Sequence, residues 1–100
     1  MIVSKINAGR DTRNWLLYSL YTRKEFSECL KVIDSELAHW NQQLEYPLYV
    51  KGLIYRQQGK IQESLELFQR AAVLNPSNHF NLKQVGRSLY VLVVSSRFAF

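Results

Sequence analysis

Cys29, His39 and His79 are the side chains from which a nucleophile or a metal centre would have to be built, and their placement supports neither. A reactive thiol needs a cationic neighbour to lower its pKa. Cys29 instead falls in a helical pattern of apolar and small residues, which predicts a packed, inert thiol. The two histidines lie forty positions apart without the acidic or thiol partners a zinc site needs. There is no Gly-x-Ser-x-Gly elbow and no phosphate-cradling glycine loop. The sequence therefore predicts no enzyme, no cofactor and no bound metal. The remaining chemistry is recognition: Lys83 and Arg87 are four residues apart, hence on one helix face, and can offer charge-assisted hydrogen bonds to a carboxylate.

The charge distribution points the same way. Thirteen Lys and Arg against eight Asp and Glu give a net charge of +5. Residues 1–50 hold six bases and six acids, whereas residues 51–100 hold seven bases and only Glu63 and Glu66 as acids. That C-terminal excess suits an acidic protein segment, nucleic acid or an anionic lipid surface, and charge alone does not choose among them. With 47% hydrophobic residues the 100-residue chain is one globular domain, neither disordered nor collagen-like. Four Gly and two Pro are too few for a many-turned β-sandwich. One cysteine allows no internal disulfide and fits a reducing compartment. Lys5, Arg10, Asp11 and Arg13 interrupt any secretory h-region, and the apolar run at Leu89–Val94 is far below the roughly 20 residues of a membrane span. A cytoplasmic chain without a transmembrane segment is expected.

The elements that must position these residues repeat. At an offset of 35, Phe26 meets Ile61, Cys29 meets Ser64, Leu30 meets Leu65 and Ile33 meets Phe68. At an offset of 34, Leu48 meets Leu82, Gly52 meets Gly86 and Tyr55 meets Leu89. Each copy has helical periodicity: Phe26, Cys29, Leu30, Ile33 and Leu37 share one face, with Glu25, Glu28, Lys31 and Asp34 opposite. Gly59 can take the left-handed conformation that ends a helix, and Pro76 stops the next one, after which Ser77 or Asn78 can cap. The pattern predicts five helices near 12–22, 25–39, 46–57, 60–74 and 79–93, joined by short turns.

A helical hairpin of about 34 residues with this pattern of large and small residues resembles the tetratricopeptide (TPR) repeat. The fold expected is an all-α solenoid of about two and a half repeats. Residues 1–11 are read as an irregular segment, 12–44 as a divergent first repeat and 45–78 as the second repeat. Residues 79–93 are the first helix of an incomplete third, and 94–100 a divergent apolar tail. Leu48, Gly52, Tyr55, Ser64, Phe68, Ala71, Pro76 and Gly86 occupy the packing positions of the repeat. In such a solenoid the first helix of each hairpin lines a concave groove, which would display Tyr18, Tyr49, Arg56, Lys83, Arg87 and Tyr90 to a partner.

The wording of Asn14-Trp15-Leu16, of Thr22 to Phe26, of Tyr49 to Arg56, of Ile61 to Gln69 and of Asn81 to Leu89 resembles the N-terminal repeats of the Bardet–Biedl syndrome protein 4 family. The likeness ends near residue 92, and the chain is read as a truncated or alternatively spliced member. The resemblance implies a protein-binding scaffold of the BBSome, which sorts membrane proteins at the cilium. It also implies work at the centrosome and centriolar satellites, with other BBSome subunits, pericentriolar material protein and dynactin as partners. The alternative from charge alone is a basic helical module that binds nucleic acid or another acidic partner, although no nucleic-acid signature occurs. Leu82, Val85, Leu89 and Leu92 lack a covering helix in this reading, so self-association through the C-terminal helix is expected.

Overall fold

The computed structural model describes residues 13–41 and 43–98, with side chains through residue 94. Five helices follow one another: α1 over 13–22, α2 over Phe26–His39, α3 over Glu45–Gln57, α4 over Ile61–Leu74 and α5 over His79–Phe98. No strand occurs among the described residues. This is the all-α helical-hairpin architecture expected from the repeat. The expected N-terminal segment 1–11 lies outside the described residues.

The first two hairpin turns are built alike. Lys24 at φ 60° and Gly59 at φ 83° both sit in the left-handed region. At the first turn the Lys24 and Glu25 amides donate to the carbonyls of Tyr21 and Leu20 at 3.0 Å each. At the second, Gly59 and Lys60 donate to Arg56 and Tyr55 at 3.1 and 2.9 Å. Both are Schellman closures, which satisfy carbonyls that a helix end leaves unpaired. Only the second uses glycine, whose missing Cβ makes the conformation strain-free. The third turn works by capping: Asn78 Oδ1 accepts from the Phe80 amide at 3.0 Å.

Burial follows the helical period. Leu17, Leu20, Cys29, Ile33, Leu37, Leu48, Val50, Ile54, Leu67 and Ala71 form one core running from α1 to α4. Phe68 is fully buried, and its ring lies against Gly52: a Cβ there would stand 2.7 Å from the nearest ring carbon. That contact fixes the α3–α4 hairpin. A larger residue at 52 would push the helices apart.

The helix α5 departs from expectation twice. It runs to Phe98 and not to 93, because neither Gly nor Pro follows Gly86 to end it. Its buried face is also polar. Asn81, Gln84 and Ser88 face α3 and α4, at positions equivalent by the offset of 34 to the buried Pro47, Val50 and Ile54 of α3.

Candidate functional site

The residues expected to face a partner lie on α1, α3 and α5, the first helix of each hairpin. Helical spacing brings Tyr46 and Tyr49 one turn apart, with stacked rings 6.2 Å between centroids. Tyr49 in turn meets Phe68 edge-on at 5.7 Å. Two turns beyond Tyr49, Arg56 lays its guanidinium 5.3 Å above the same Phe68 ring. A cation over a ring face is attracted by the ring quadrupole, so the core aromatic holds the charge in place.

Hydrogen bonds complete the fixation. Arg56 Nη2 donates to Gln84 Oε1 at 2.6 Å, and Arg56 Nη1 to Ser88 Oγ at 3.5 Å. Gln84 Nε2 donates to the Tyr49 hydroxyl at 3.2 Å. Ser88 Oγ lies 3.3 Å from Ser64 Oγ, which donates to the Ile61 carbonyl at 2.6 Å. Every partner of the guanidinium is neutral. Burial lowers the Arg56 pKa, and the nearby Arg87 charge lowers it further.

Arg56, Lys83, Gly86, Arg87, Tyr90 and Val91 line one open cleft of about 600 Å³. Among the described residues no carboxylate forms an ion pair with Arg56, Lys83 or Arg87. The acids of the first repeat are engaged elsewhere: Asp34 with Lys51 at 3.0 Å, Glu28 with Lys31 at 3.3 Å and Glu36 with Arg13 at 3.3 Å. The cleft thus concentrates uncompensated positive charge beside an exposed tyrosine, an arrangement able to offer charge-assisted hydrogen bonds to carboxylates.

Of the six residues expected from sequence to face a partner, Arg56, Lys83, Arg87 and Tyr90 line this one cleft, and Tyr49 adjoins it through Gln84. Tyr49 and Arg56 are half-buried, whereas Lys83, Arg87 and Tyr90 are exposed. Tyr18 lies apart, stacked on Trp15 at 5.6 Å in a separate cleft with Asn14 and Tyr46. Sequence reasoning missed Tyr46, Gln84 and Ser88. Tyr46 was legible as the residue three before Tyr49, but a glutamine and a serine in a helix give no sign of facing an arginine.

The packing positions divide. Leu48, Ser64, Phe68 and Ala71 are fully buried, and Gly52 is buried beneath Phe68. Tyr55 is half-buried, its ring contacted by the Lys51 and Lys60 ammonium groups at 5.5 and 4.8 Å. Among the described residues two positions lie outside any seam. Pro76 is exposed in the turn after α4, and Gly86 has no heavy atom within 4 Å of a Cβ position, no described helix packing on that face of α5.

The other candidate side chains carry no site. Cys29 is fully buried, donates to the Leu17 carbonyl at 3.6 Å and has its pKa pushed up to about 11 by burial. His39 packs edge-on against Trp40 at 5.3 Å, while His79 begins α5 on the surface. Among the described residues no three His, Cys, Asp or Glu gather as metal ligands, and no helix is long and apolar enough to cross a membrane.

Comparison with known proteins agrees with this geometry. Residues 46–78 match the tetratricopeptide repeat family model. BBSome complex member BBS4 of Xenopus tropicalis is 52% identical over 82 residues, and that of Mus musculus 49% over 82. The Drosophila melanogaster BBSome complex member BBS4 homolog is 42% identical over 80 residues. The alignments cover 82%, 82% and 79% of this chain and 16% of each relative. The chain thus carries one segment that matches the tetratricopeptide repeat, residues 46–78, and resembles BBSome complex member BBS4 over four fifths of its own length, which is 16% of the length of those relatives.

Proposed function

We propose that the chain is a non-catalytic protein-interaction scaffold of the BBSome, and that its concave cleft holds an acidic, aromatic-tolerant segment of a partner. The observation that carries this reading is the cleft itself, in which Arg56, Lys83 and Arg87 surround open space with no carboxylate to neutralise them. Tyr90 adds a ring face to this cleft, Tyr49 adjoins it through its hydrogen bond with Gln84, and Tyr18 offers a ring in a separate cleft with Trp15 and Tyr46. The BBS4 likeness supports other BBSome subunits as partners, with pericentriolar material protein and dynactin as further ones. The setting is the ciliary base, cilium, centrosome and centriolar satellites, and the process is membrane-protein transport and cilium assembly. The repeat boundaries proposed to frame this groove are 12–44 and 45–78, followed by the helix expected over 79–93, which α5 extends to Phe98.

Affinity purification from ciliated cells, comparing wild type with Lys83→Glu/Arg87→Glu, tests the reading. BBSome subunits should be recovered with wild type and lost with the double variant. Equal recovery would refute the cleft as the site. Recovery of ribonucleoproteins that disappear on nuclease treatment would show that the positive charge serves nucleic acid instead.

A further inference from the structure

Arg56 is a half-buried cation that the chain surrounds with neutral groups. A guanidinium has five N–H donors. Two of them are used, on Nη2 toward Gln84 Oε1 at 2.6 Å and on Nη1 toward Ser88 Oγ at 3.5 Å, while the Phe68 ring lies under the planar group. The other N–H groups meet no acceptor among the described residues. Two phenols stand nearby with donors to spare. The Tyr49 hydroxyl accepts from Gln84 Nε2 at 3.2 Å and the Tyr21 hydroxyl from Gln57 Nε2 at 2.8 Å, so each keeps its own proton for a further acceptor. The Arg56 charge acts on both of these hydroxyls. Every one of these groups lies on α1, on α3 or in the seam that α5 buries against α3 and α4.

Gln84 holds this cation without neutralising it. By the offset of 34 its position is that of Val50, and the position of Ser88 is that of Ile54, both buried apolar residues of α3. A valine at 84 would leave the guanidinium unheld, whereas a glutamate would pair with it and cancel its charge. Drawing a cation partly out of water without a counter-ion costs free energy, and a ligand that brings the negative charge recovers it. We infer, resting on the scaffold reading above, that Arg56 anchors one side-chain carboxylate of the acidic partner segment, with the Tyr21 and Tyr49 hydroxyls as further donors, and that Gln84 is the positioning residue which holds the guanidinium while leaving its charge open. The fork of N–H groups matches the two oxygens of a carboxylate, which a lysine at this place would not. Lys83 and Arg87, being exposed, supply long-range attraction and speed encounter, whereas the half-buried Arg56 fixes the seat.

A fluorescein-labelled Glu-Glu-Tyr-Glu-Glu peptide, titrated against the full chain by polarisation, supplies the test. Saturable binding is expected, at least tenfold weaker for the Gln-Gln-Tyr-Gln-Gln counterpart. Gln84→Glu should weaken it at least fivefold while the urea midpoint stays at or above that of wild type, because the new carboxylate keeps the hydrogen bond and occupies Arg56. A merely structural role for Gln84 would leave binding to that variant untouched. Arg56→Gln should weaken binding as much, and in the wild-type chain the Arg56 Nε–H NMR signal should shift as the peptide saturates. Undiminished binding to Gln84→Glu, or to an Arg56→Gln chain that keeps wild-type circular dichroism, overturns the anchor. If Lys83→Glu/Arg87→Glu then still abolishes binding, the cleft reading survives without it. Absence of saturable binding to the wild-type chain overturns the inference as well. Peptide binding that depends on Arg56, with no BBSome subunits captured from cells, would sink the functional assignment and leave the anchor standing.

Discussion

Two glycines with one sequence pattern should respond to substitution with opposite signs. Gly52 lies under the Phe68 ring, itself wholly buried, so Gly52→Leu must displace a core aromatic and should cost about 1–3 kcal/mol. Gly86 lies within α5 with open space beside it, so Gly86→Ala should stabilise by about 0.5–1 kcal/mol through helix propensity. Urea titration of both variants reads the contrast, and an unchanged midpoint for Gly52→Leu would disprove the hairpin register. Cys29 makes a second prediction at this scale. Burial raises its thiol from 9.0 to about 11, so only the unfolded chain ionises between those values and stability falls as pH climbs through that window. Cys29→Ser, whose hydroxyl does not titrate, should flatten the decline between pH 9 and 11. An identical alkaline slope in the variant would show that the thiol is not its source.

At the scale of elements, the turn after α1 stores strain that the turn after α3 avoids. Lys24 holds φ 60° in the same Schellman closure in which Gly59 holds φ 83°. An L-residue in that region is disfavoured by about 1–2 kcal/mol, part of which glycine returns as lost freedom on folding. Lys24→Gly should therefore stabilise by about 0.5–1 kcal/mol, seen as a higher urea midpoint at unchanged slope. No gain would mean that Lys24 relaxes out of the left-handed region. The equivalence of 24 and 59 was legible from the offset of 35, as were the helix count and the Gly52 seam, because apolar periodicity and small-residue spacing record packing directly. The extent of α5 was not: a helix without a stop signal ends where its environment ends it, and residues 94–98 carry no punctuation. Nor was the polar face of α5. Asn81, Gln84 and Ser88 read as surface residues, and only the placement of Glu45, Arg56 and Tyr49 opposite them makes their burial affordable.

That polar face divides the molecule as a whole into parts held by different forces. From α1 to α4 the helices share one apolar core, whereas α5 docks through hydrogen bonds among Asn81, Gln84, Ser88 and their partners. Glu45 is the hub at one end: Oε1 accepts from Asn75 at 3.1 Å, and Oε2 accepts from Asn78 and Asn81, each at 2.6 Å. It thereby ties the start of α3 to the turn and first residues of α5. Hydrogen bonds contribute a net of about 1 kcal/mol each, somewhat more when one partner is charged, while an apolar seam of Val and Ile contributes more per residue and does not depend on one acceptor. A helix docked this way, with its outer stripe uncovered, should open before the rest unfolds. In native-state hydrogen exchange the α5 amides should report a lower opening free energy than those of α3. Glu45→Ala, which strands the Asn75 and Asn78 amides and leaves Asn81 with the Ala71 carbonyl alone, should lower the α5 value by about 1–3 kcal/mol while moving α2 amides less. Identical exchange free energies in α3 and α5, with Glu45→Ala lowering both equally, would show that the five helices unfold as one cooperative unit and that the polar seam is no weaker than the apolar one.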